Sequence, residues 1–458
     1  MKFICHQWSY HEGREGKHLL IWSDLPRWMV VDKELYSLLK KLNGDIDLNE
    51  IINDFSKESD KNFSEMNNLV NDTISKLIEL GIIYKKGEYR PIIKEEDWKI
   101  EDISINITTR CNLNCKMCFN KYDNVSPEDE ITSEEIKDFL DQILKFTYEH
   151  TMISITGGEA LLVPDKTIDV AKYAKKKGFK QVSIITNGTL INREFAKKVK
   201  ELDLKIMVSI DGSSEEEHDA LRGAGNFKKT IEGIKILKEE GVYVTTNHIV
   251  HKGNISSLND YYKMALDLGV DKARFISLKK MGGGADDDTL EFVPIDELLK
   301  IAYNLFQDHP EYKNITGIEL LSVFANQCRL SNKRGWCGTG RNVVLLDADG
   351  SIYPCSGHAL PEFKAGNIKE QKFEDIWLKS PILLKLRKIY PVDNINEKCS
   401  NCIVKHWCLG CRGEAYHTTH KLNSPDIQCE SIKKAIIEMF WILAKHPDMG
   451  RGPLNIAH

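Results

Sequence analysis

The sequence predicts an α/β protein built around a partial (β/α)6 barrel of the TIM type, with a smaller module before it and a cysteine-rich domain after it. From about residue 99, six strand-like runs alternate with helix-like runs. The residues before this region follow a different pattern, and from about residue 311 cysteines, glycines and short turns replace the alternation. Six units are too few to close an eight-stranded barrel, so the sheet is expected to stay open.

Composition limits the class of protein. The chain has 458 residues, 41% hydrophobic and 29% charged, which suits two or three water-soluble domains. A net charge of -5 gives no reason to expect a nucleic-acid partner. The sequence has no uncharged apolar run long enough to span a membrane, and its first residues lack the apolar core of a secretion signal. We therefore expect a cytoplasmic protein with no nucleic acid and no membrane among its partners.

Residues 1–98 are expected to form a winged-helix-like module. The runs HLLIWS and WMVV predict strands, and periodic runs that begin near Lys33, Leu48 and Phe63 predict three helices. The run IIYKKGEYRPII then predicts a hairpin that turns at Gly87. No catalytic side chains cluster here, and Cys5 is expected to be an inert thiol, so a binding role is favoured. The mixed charge of the helices argues against DNA as the ligand.

Residues 99–310 carry the predicted barrel. ISINITT is the first strand, and the helix after it begins with a capping box of Thr132 and Glu135. Parallel strands place reactive groups at their carboxyl ends, and the run CNLNCKMC follows the first strand directly. The other predicted strands are MISITGG, VSIITNG, KIMVSIDG, YVTTNHIV and ARFISL.

Residues 311–435 are expected to form a small core held by metal rather than by apolar burial. In residues 436–458, the run IIEMFWILAK predicts an apolar helix that packs back on the body, followed by a tail.

The cysteines point to metal rather than to disulfides. The chain has twelve, and eleven of them fall into two groups, three from Cys111 to Cys118 and eight from Cys328 to Cys429. Disulfides are rare in reducing compartments, so metal ligation is the better interpretation. A C-x3-C-x2-C triplet can hold three corners of a cubane iron–sulfur cluster and leave one iron open to a small molecule. A zinc site or buried free thiols remain alternatives, although zinc usually takes four ligands in pairs.

Polar and small residues end the strands that follow. Gly157 and Gly158 leave space for a ligand to approach the backbone, and Glu159 offers a carboxylate to an ammonium group. Asn187, Ser209 and Asp211 lie at the ends of the next two strands, on the same rim.

With these motifs the chain resembles the radical S-adenosylmethionine (SAM) enzymes. The resemblance implies that Cys111, Cys115 and Cys118 hold a [4Fe–4S] cluster whose free iron chelates SAM. It also implies one-electron reduction of SAM and a 5′-deoxyadenosyl radical that takes hydrogen from a substrate. Met117 stands where the family usually has an aromatic residue. The residues that correspond to SAM contacts are Gly157, Gly158, Glu159, Asn187, Ser209, Asp211 and Arg222.

The later cysteines are similar to the SPASM extension of radical SAM peptide maturases, which holds two auxiliary [4Fe–4S] clusters. With the first cluster this implies three clusters in all. One departure is that two residues, rather than the family's three, separate Cys408 from Cys411. A zinc ribbon formed by Cys399, Cys402, Cys408 and Cys411 is the alternative. The resemblance assigns Cys328, Cys337, Cys355 and Cys411 to auxiliary cluster I, and Cys399, Cys402, Cys408 and Cys429 to auxiliary cluster II.

The N-terminal module resembles the PqqD-like domains that bind leader peptides of ribosomally made precursors. Together the resemblances imply a maturase of the sactipeptide or ranthipeptide type, which forms a thioether between a cysteine sulfur and a carbon of another residue. They also imply a precursor peptide as partner and a low-potential electron donor such as flavodoxin or ferredoxin. The alternatives are a carbon–carbon cross-linking maturase, an anaerobic sulfatase-type maturase and a non-enzymatic iron–sulfur electron carrier.

Overall fold

The computed structural model describes residues 1–59, 61–87, 99–118, 125–316, 320–329, 337–389 and 392–449. In the N-terminal part, β2, β3 and β4 form an antiparallel sheet and β1 pairs antiparallel with β5. The elements are β1 (Phe3–Cys5), β2 (Tyr10–Arg14), β3 (Lys17–Trp22), β4 (Arg27–Val31), α1 (Lys33–Lys41), α2 (Leu48–Glu58), α3 (Phe63–Glu79) and β5 (Ile83–Lys85).

The three predicted helices and the two predicted strands β3 and β4 are confirmed. The sequence did not predict β1 or β2, because β1 has three residues and β2 is the polar run YHEGR, which lacks an apolar alternation. The predicted hairpin is described only as far as Gly87, and its second strand lies outside the described residues.

Strand β3 buries both of its faces. Leu20 and Trp22 belong to a separate core within the N-terminal part, whereas Leu19 and Ile21 belong to the large core of the body. Alternate residues of a strand point to opposite faces, so one strand joins the two cores.

The central part contains six parallel strands in sequential order, as predicted. On its other side β6 pairs with a later strand, whereas β11 forms the edge of the sheet, so the barrel is open. The elements are β6 (Ile100–Asn106), α4 (Ser133–Ile143), β7 (Thr147–Thr156), α5 (Pro164–Lys176), β8 (Gln181–Thr186), α6 (Arg193–Glu201), β9 (Lys205–Ser209), α7 (Glu215–Arg222), α8 (Asn226–Glu239), β10 (Tyr243–Val250), α9 (Leu258–Asp267) and β11 (Lys272–Ser277).

The C-terminal part extends the same sheet to nine strands. β12 pairs parallel with β6, and β13 and β14 follow in antiparallel pairs. The sequence analysis did not predict these three strands. The elements are α10 (Gly283–Asp286), α11 (Ile295–Asp308), α12 (Leu320–Arg329), β12 (Val343–Leu346), β13 (Ser351–Tyr353), β14 (Gly366–Asn367), α13 (Phe373–Lys379), α14 (Pro381–Ile389), α15 (Val392–Ile395), α16 (Glu397–Ser400), α17 (Arg412–Thr419) and α18 (Cys429–Lys445).

Local chemistry explains where these elements begin and how they pack. The predicted capping box is present: the Thr132 hydroxyl accepts from the Glu135 N–H at 3.2 Å, and the Glu135 carboxylate accepts from the Thr132 N–H at 2.7 Å. On β6, Ile103 and Ile105 are fully buried in the core. This packing fixes the strand so that its carboxyl end carries the first cysteine loop.

The predicted apolar C-terminal helix is α18, and it begins at Cys429, before the predicted residue 436. It packs against α11, α12 and β4. The Trp28 ring stacks on Phe440 with 4.5 Å between ring centroids. Within the described part of the chain, no helix is long and apolar enough to cross a membrane.

Candidate active site

The first cysteine loop follows the carboxyl end of β6. The Cys111 and Cys118 side chains are exposed and Cys115 is partly buried. The Cys118 N–H donates to the Cys115 carbonyl at 3.2 Å, and the Leu113 N–H donates to the Cys111 sulfur at 3.4 Å. The loop therefore presents three thiols at the mouth of the barrel, two of them open to solvent.

The turn after β7 lies directly against the chain that leads into this loop. The Gly158 N–H donates to the Thr108 carbonyl and the Glu159 N–H donates to the Arg110 carbonyl, both at 2.8 Å. A Cβ on Gly157 would lie 2.2 Å from the Thr108 oxygen, and one on Gly158 would lie 2.2 Å from the Arg110 oxygen. From the sequence alone, these glycines were expected to leave space for a ligand to approach the backbone. The structure adds another reason, since two backbones touch here.

The Glu159 carboxylate links the ends of β7 and β8. It is 2% exposed and accepts from the Leu161 N–H at 2.9 Å, the Thr186 hydroxyl at 2.6 Å and the Asn187 N–H at 2.7 Å. Burial raises the pKa of Glu159, and these hydrogen bonds act in the opposite direction. The Asn187 amide also donates to the Asn112 side chain, within the cysteine loop, at 2.9 Å.

Asp211 is fully buried and holds Arg222. Its carboxylate accepts from the Arg222 Nε at 2.5 Å and from the Ile249 N–H at 2.6 Å. The Arg222 Nη1 lies 3.8 Å from the Cys115 sulfur. Asp211 therefore orients a cation towards the cysteine loop. Ser209, the last residue of β9, is partly exposed and precedes Asp211 by two residues.

Three C-terminal cysteines form a second group. The pKa of Cys355 is raised to about 12 and that of Cys411 to about 11, mainly by burial and in part by the charge of Cys337. The Thr339 hydroxyl lies 3.1 Å from the sulfur of Cys337 and 3.1 Å from that of Cys355. Neighbouring thiols lose their protons together only where a cation balances their charge, which an iron cluster held by them would supply.

Cys328 is not brought into this group. It is 1% exposed within the large core on α12, and its carbonyl accepts from the Trp28 Nε1 at 2.7 Å. Burial raises its pKa well above the usual value, and Arg329 lowers it.

A third group contains Cys399, Cys402, Cys408 and Cys429. Burial raises the pKa of Cys402, Cys408 and Cys429, with smaller contributions from thiols of the same group. Cys411 interacts instead with Cys337 and Cys355. This division favours the interleaved arrangement over a zinc ribbon that contains Cys411.

Two charged residues that the sequence analysis missed support these cysteines. The buried Asp426 carboxylate accepts from the Cys411 N–H at 2.6 Å. The buried Arg412 donates to the Ser424 carbonyl at 2.9 Å, and thiols of both C-terminal groups raise its pKa against the effect of burial. A single arginine next to a cysteine gives no sequence pattern by which to detect such a role.

The comparisons with known proteins agree with this geometry. A family model described as the radical SAM superfamily matches residues 105–265, and one described as an iron–sulfur cluster-binding domain (SPASM) matches residues 337–403. An AdoMet-dependent heme synthase of Methanosarcina barkeri is 30% identical over 335 residues, which cover 69% of this chain and 92% of that protein.

Two further relatives extend the comparison. The subtilosin biosynthesis protein AlbA of Bacillus subtilis is 29% identical over 318 residues, covering 67% of this chain and 66% of that protein. The crystal structure of Streptococcus suis SuiB bound to S-adenosylmethionine superposes with a TM-score of 0.61 at 15% identity, covering 92% of this chain and 98% of that one, and shows a shared fold. The chain therefore belongs to the radical SAM superfamily and is a radical SAM enzyme with a C-terminal SPASM domain.

Proposed function

We propose that this enzyme modifies a ribosomally synthesised precursor peptide, forming a thioether between a cysteine sulfur and a carbon of another residue. The observation that carries the proposal is the N-terminal module, which packs on the cluster-bearing body and presents a strand edge to a peptide. The likeness to AlbA, named for bacteriocin biosynthesis, supports the same class of substrate.

The proposed module of residues 1–98 provides a PqqD-like site for a leader peptide. Within the described residues, β4 hydrogen-bonds to β3 on one side and has no strand partner on the other. An extended leader can add to such an edge through main-chain hydrogen bonds.

Two exposed leucines lie on one side of α3, whose carboxyl end adjoins this edge. Leu69 lies on α3 and is 48% exposed, and Leu80 lies just after the helix and is 40% exposed. The two leucines share one side of the helix. The Arg27 Nε donates to the Leu80 carbonyl at 3.0 Å, which places the end of α3 beside the start of β4. A leader added at β4 could therefore contact Leu80, with Leu69 about three turns earlier on the same side of α3.

The module is held firmly on the body. Besides the shared strand β3 and the Trp28–Phe440 stack, Arg14 forms an ion pair with Glu438 at 2.7 Å and lies over the Trp441 ring. A leader bound to a fixed module gives the rest of the peptide a high local concentration at the barrel mouth.

In residues 99–310, Cys111, Cys115 and Cys118 are the proposed ligands of the first [4Fe–4S] cluster. When bound there, SAM supplies a 5′-deoxyadenosyl radical that takes a hydrogen atom from the peptide. Arg222 brings positive charge to the ligand Cys115, and Asp211 holds Arg222. The residues proposed to surround SAM are Gly157, Gly158, Glu159, Asn187, Ser209, Asp211 and Arg222.

In residues 311–435, Cys337, Cys355 and Cys411 are proposed ligands of auxiliary cluster I, with Cys328 as the predicted fourth. The other group is assigned to auxiliary cluster II, and its ligand Cys429 begins α18, which continues into the predicted segment 436–458. Thioether formation removes a hydrogen from sulfur and one from carbon and leaves one electron over, which a cluster held by these cysteines would be able to accept. We further propose a cytoplasmic enzyme reduced by a flavodoxin or ferredoxin.

In the decisive experiment, the purified enzyme is incubated with SAM, a reductant and the short peptides encoded beside its gene. We expect a cysteine-containing peptide to lose two hydrogen atoms while 5′-deoxyadenosine forms. Leu69→Asp and Leu80→Asp should weaken peptide binding about tenfold or more, since a buried apolar contact contributes about 1.5 kcal/mol or more. Ile78→Asp is the matched control, because Ile78 is 45% exposed and nine residues from Leu69, on the opposite side of α3.

A second candidate is tetrapyrrole chemistry, which the 30% identity to the heme synthase favours. Another relative is named Fe-coproporphyrin III synthase. If Fe-coproporphyrin III stimulates 5′-deoxyadenosine formation and no peptide does, the thioether proposal is wrong. A cross-link in a peptide that has no cysteine would instead indicate carbon–carbon bond formation.

A further inference from the structure

A segment after β11 contacts both the first cysteine loop and the helix that follows Cys411. At one end, the Gly283 N–H donates to the Cys118 carbonyl at 2.7 Å. A Cβ on Gly283 would lie 2.3 Å from the Lys116 carbonyl oxygen, so the two backbones are in contact. At the other end, Lys279 and Lys280 reach α17, which begins just after Cys411.

The contact at α17 is a partly buried ion pair, in which the Lys279 side chain is 34% exposed. The Lys279 Nζ donates to the Glu414 carboxylate at 2.7 Å, and the Lys280 N–H donates to its other oxygen at 2.9 Å. The Glu414 side chain is fully buried. The Glu414 N–H donates to the Cys411 sulfur at 3.4 Å, so the pair adjoins a proposed ligand of auxiliary cluster I.

We propose that Lys279 and Glu414 set the reduction potential of auxiliary cluster I through their opposite charges. The inference rests on the ligand assignment in the proposed function and extends it to two residues that no comparison assigns. Both are positioning residues, because they act through Cys411.

The charges of Lys279 and Glu414 act in opposite directions on the reduction potential of the cluster. Reduction adds one electron to the cluster, so a nearby cation stabilises the reduced state and a nearby anion destabilises it. Because the Glu414 carboxylate is fully buried and the Lys279 side chain is only partly exposed, solvent screens these charges less than it would at the surface. Removing Lys279 leaves the Glu414 anion unbalanced, and removing the Glu414 charge leaves the Lys279 cation unbalanced. The two changes must therefore shift the potential in opposite directions.

The test uses the full-length chain with Cys111, Cys115 and Cys118 replaced by alanine, reconstituted anaerobically, so that only auxiliary clusters contribute. Redox titration followed by electron paramagnetic resonance should give two midpoint potentials. We expect Lys279→Met to lower one of them and Glu414→Gln to raise the same one. Lys279→Arg should restore the parent value, since it keeps the charge.

Lys280→Met is the matched control. It also removes one lysine charge, but the Lys280 charge acts on Asp287 and Glu291. No shift in Lys279→Met, shifts of the same sign in both variants, or an equal shift in the control would overturn the inference. If Glu414→Gln does not assemble clusters, the contrast between Lys279→Met and Lys279→Arg decides alone.

Iron content distinguishes failure of this inference from failure of the proposed function. The alanine background should retain about eight iron atoms, as two cubane clusters require. If it retains almost none, the auxiliary ligand assignment is wrong and the inference falls with it. If the iron is present and the potentials do not move, only the inference is wrong.

Discussion

The cysteine loop after β6 and the Cys337–Cys355–Cys411 group use the same ligand chemistry in opposite surroundings. Cys111 and Cys118 are exposed on a short loop at the barrel mouth. The second group is more enclosed, since Cys337, Cys355 and Cys411 are all partly buried and burial raises the pKa of Cys355 to about 12. An exposed site suits the exchange of a small molecule, whereas an enclosed one suits the storage of an electron away from water.

Both sites nevertheless have a cation held by a buried carboxylate. Arg222 is fixed by Asp211 and points at Cys115, and Lys279 is fixed by Glu414 beside Cys411. In each case the carboxylate is fully buried, whereas the side chain of the cation is 9% exposed for Arg222 and 34% exposed for Lys279. The two sites therefore differ in the solvent exposure of their cysteines, but each has a cation that a buried carboxylate holds near a cysteine.

The largest effect should follow from removing one ligand of the exposed loop. Cys115→Ala should abolish 5′-deoxyadenosine formation and remove about four iron atoms, because a cubane needs its thiolates. Iron analysis and chromatography measure both quantities. Cys5→Ala is the control, since Cys5 lies in the N-terminal core, where burial raises its pKa to about 12. Full SAM cleavage by Cys115→Ala would remove the distinction between the two sites.

The next effect concerns the carboxylate that holds the cation at the exposed site. Asp211→Asn leaves Arg222 buried without a counter-charge, which should lower the free energy of unfolding by about 3 kcal/mol. It should also change the electron paramagnetic resonance spectrum of the SAM-bound cluster. Asp203→Asn is the matched control, because Asp203 pairs with Lys175 at 3.5 Å but is 99% exposed. Equal losses in denaturant unfolding would show that burial of the pair does not matter.

A smaller effect should follow from a Cβ beneath the exposed loop. Gly158→Ala places a carbon 2.2 Å from the Arg110 carbonyl oxygen, so the loop must shift, at a cost of about 1–3 kcal/mol and with weaker SAM binding. Gly13→Ala is the control, because its Cβ would meet nothing closer than 3.6 Å. Calorimetry of SAM binding checks the loop, and unchanged affinity in Gly158→Ala would show that the loop tolerates displacement.

The exposed site was more predictable from sequence than the enclosed one. Its cysteines lie close together in the chain, and the glycines and Glu159 end a strand whose apolar run is easily recognised. The order of the six parallel strands followed from the same alternation. These are local patterns, so a single sequence displays them.

The enclosed site depends on contacts between distant residues. Lys279 and Glu414 are 135 residues apart, and nothing in either neighbourhood indicates the other. For the same reason β12 was missed: it is a four-residue strand whose partner β6 lies more than 200 residues earlier. The role of Asp211 as an anchor for Arg222 likewise required the fold.

The smallest effect should be a pH dependence of stability that arises beside Asp211. His218 is fully buried, its Nδ1 accepts from the Asp211 N–H at 3.2 Å, and burial lowers its pKa from 6.5 to about 4. The unfolded chain binds this proton below pH 6.5 and the folded chain does not. The contribution is therefore present above pH 6.5 and is lost as pH falls towards 4.

Between pH 7 and pH 5.5 the loss attributable to His218 is about 1 kcal/mol. His218→Gln removes the titrating group, so its free energy of unfolding should fall less over this interval than that of the parent, whatever its absolute value. Denaturant unfolding at both pH values measures the difference, and Lys279→Met is the control, because it alters the enclosed site and leaves His218 in place. Parallel pH profiles for the parent and His218→Gln would mean that acid sensitivity does not originate at the exposed site.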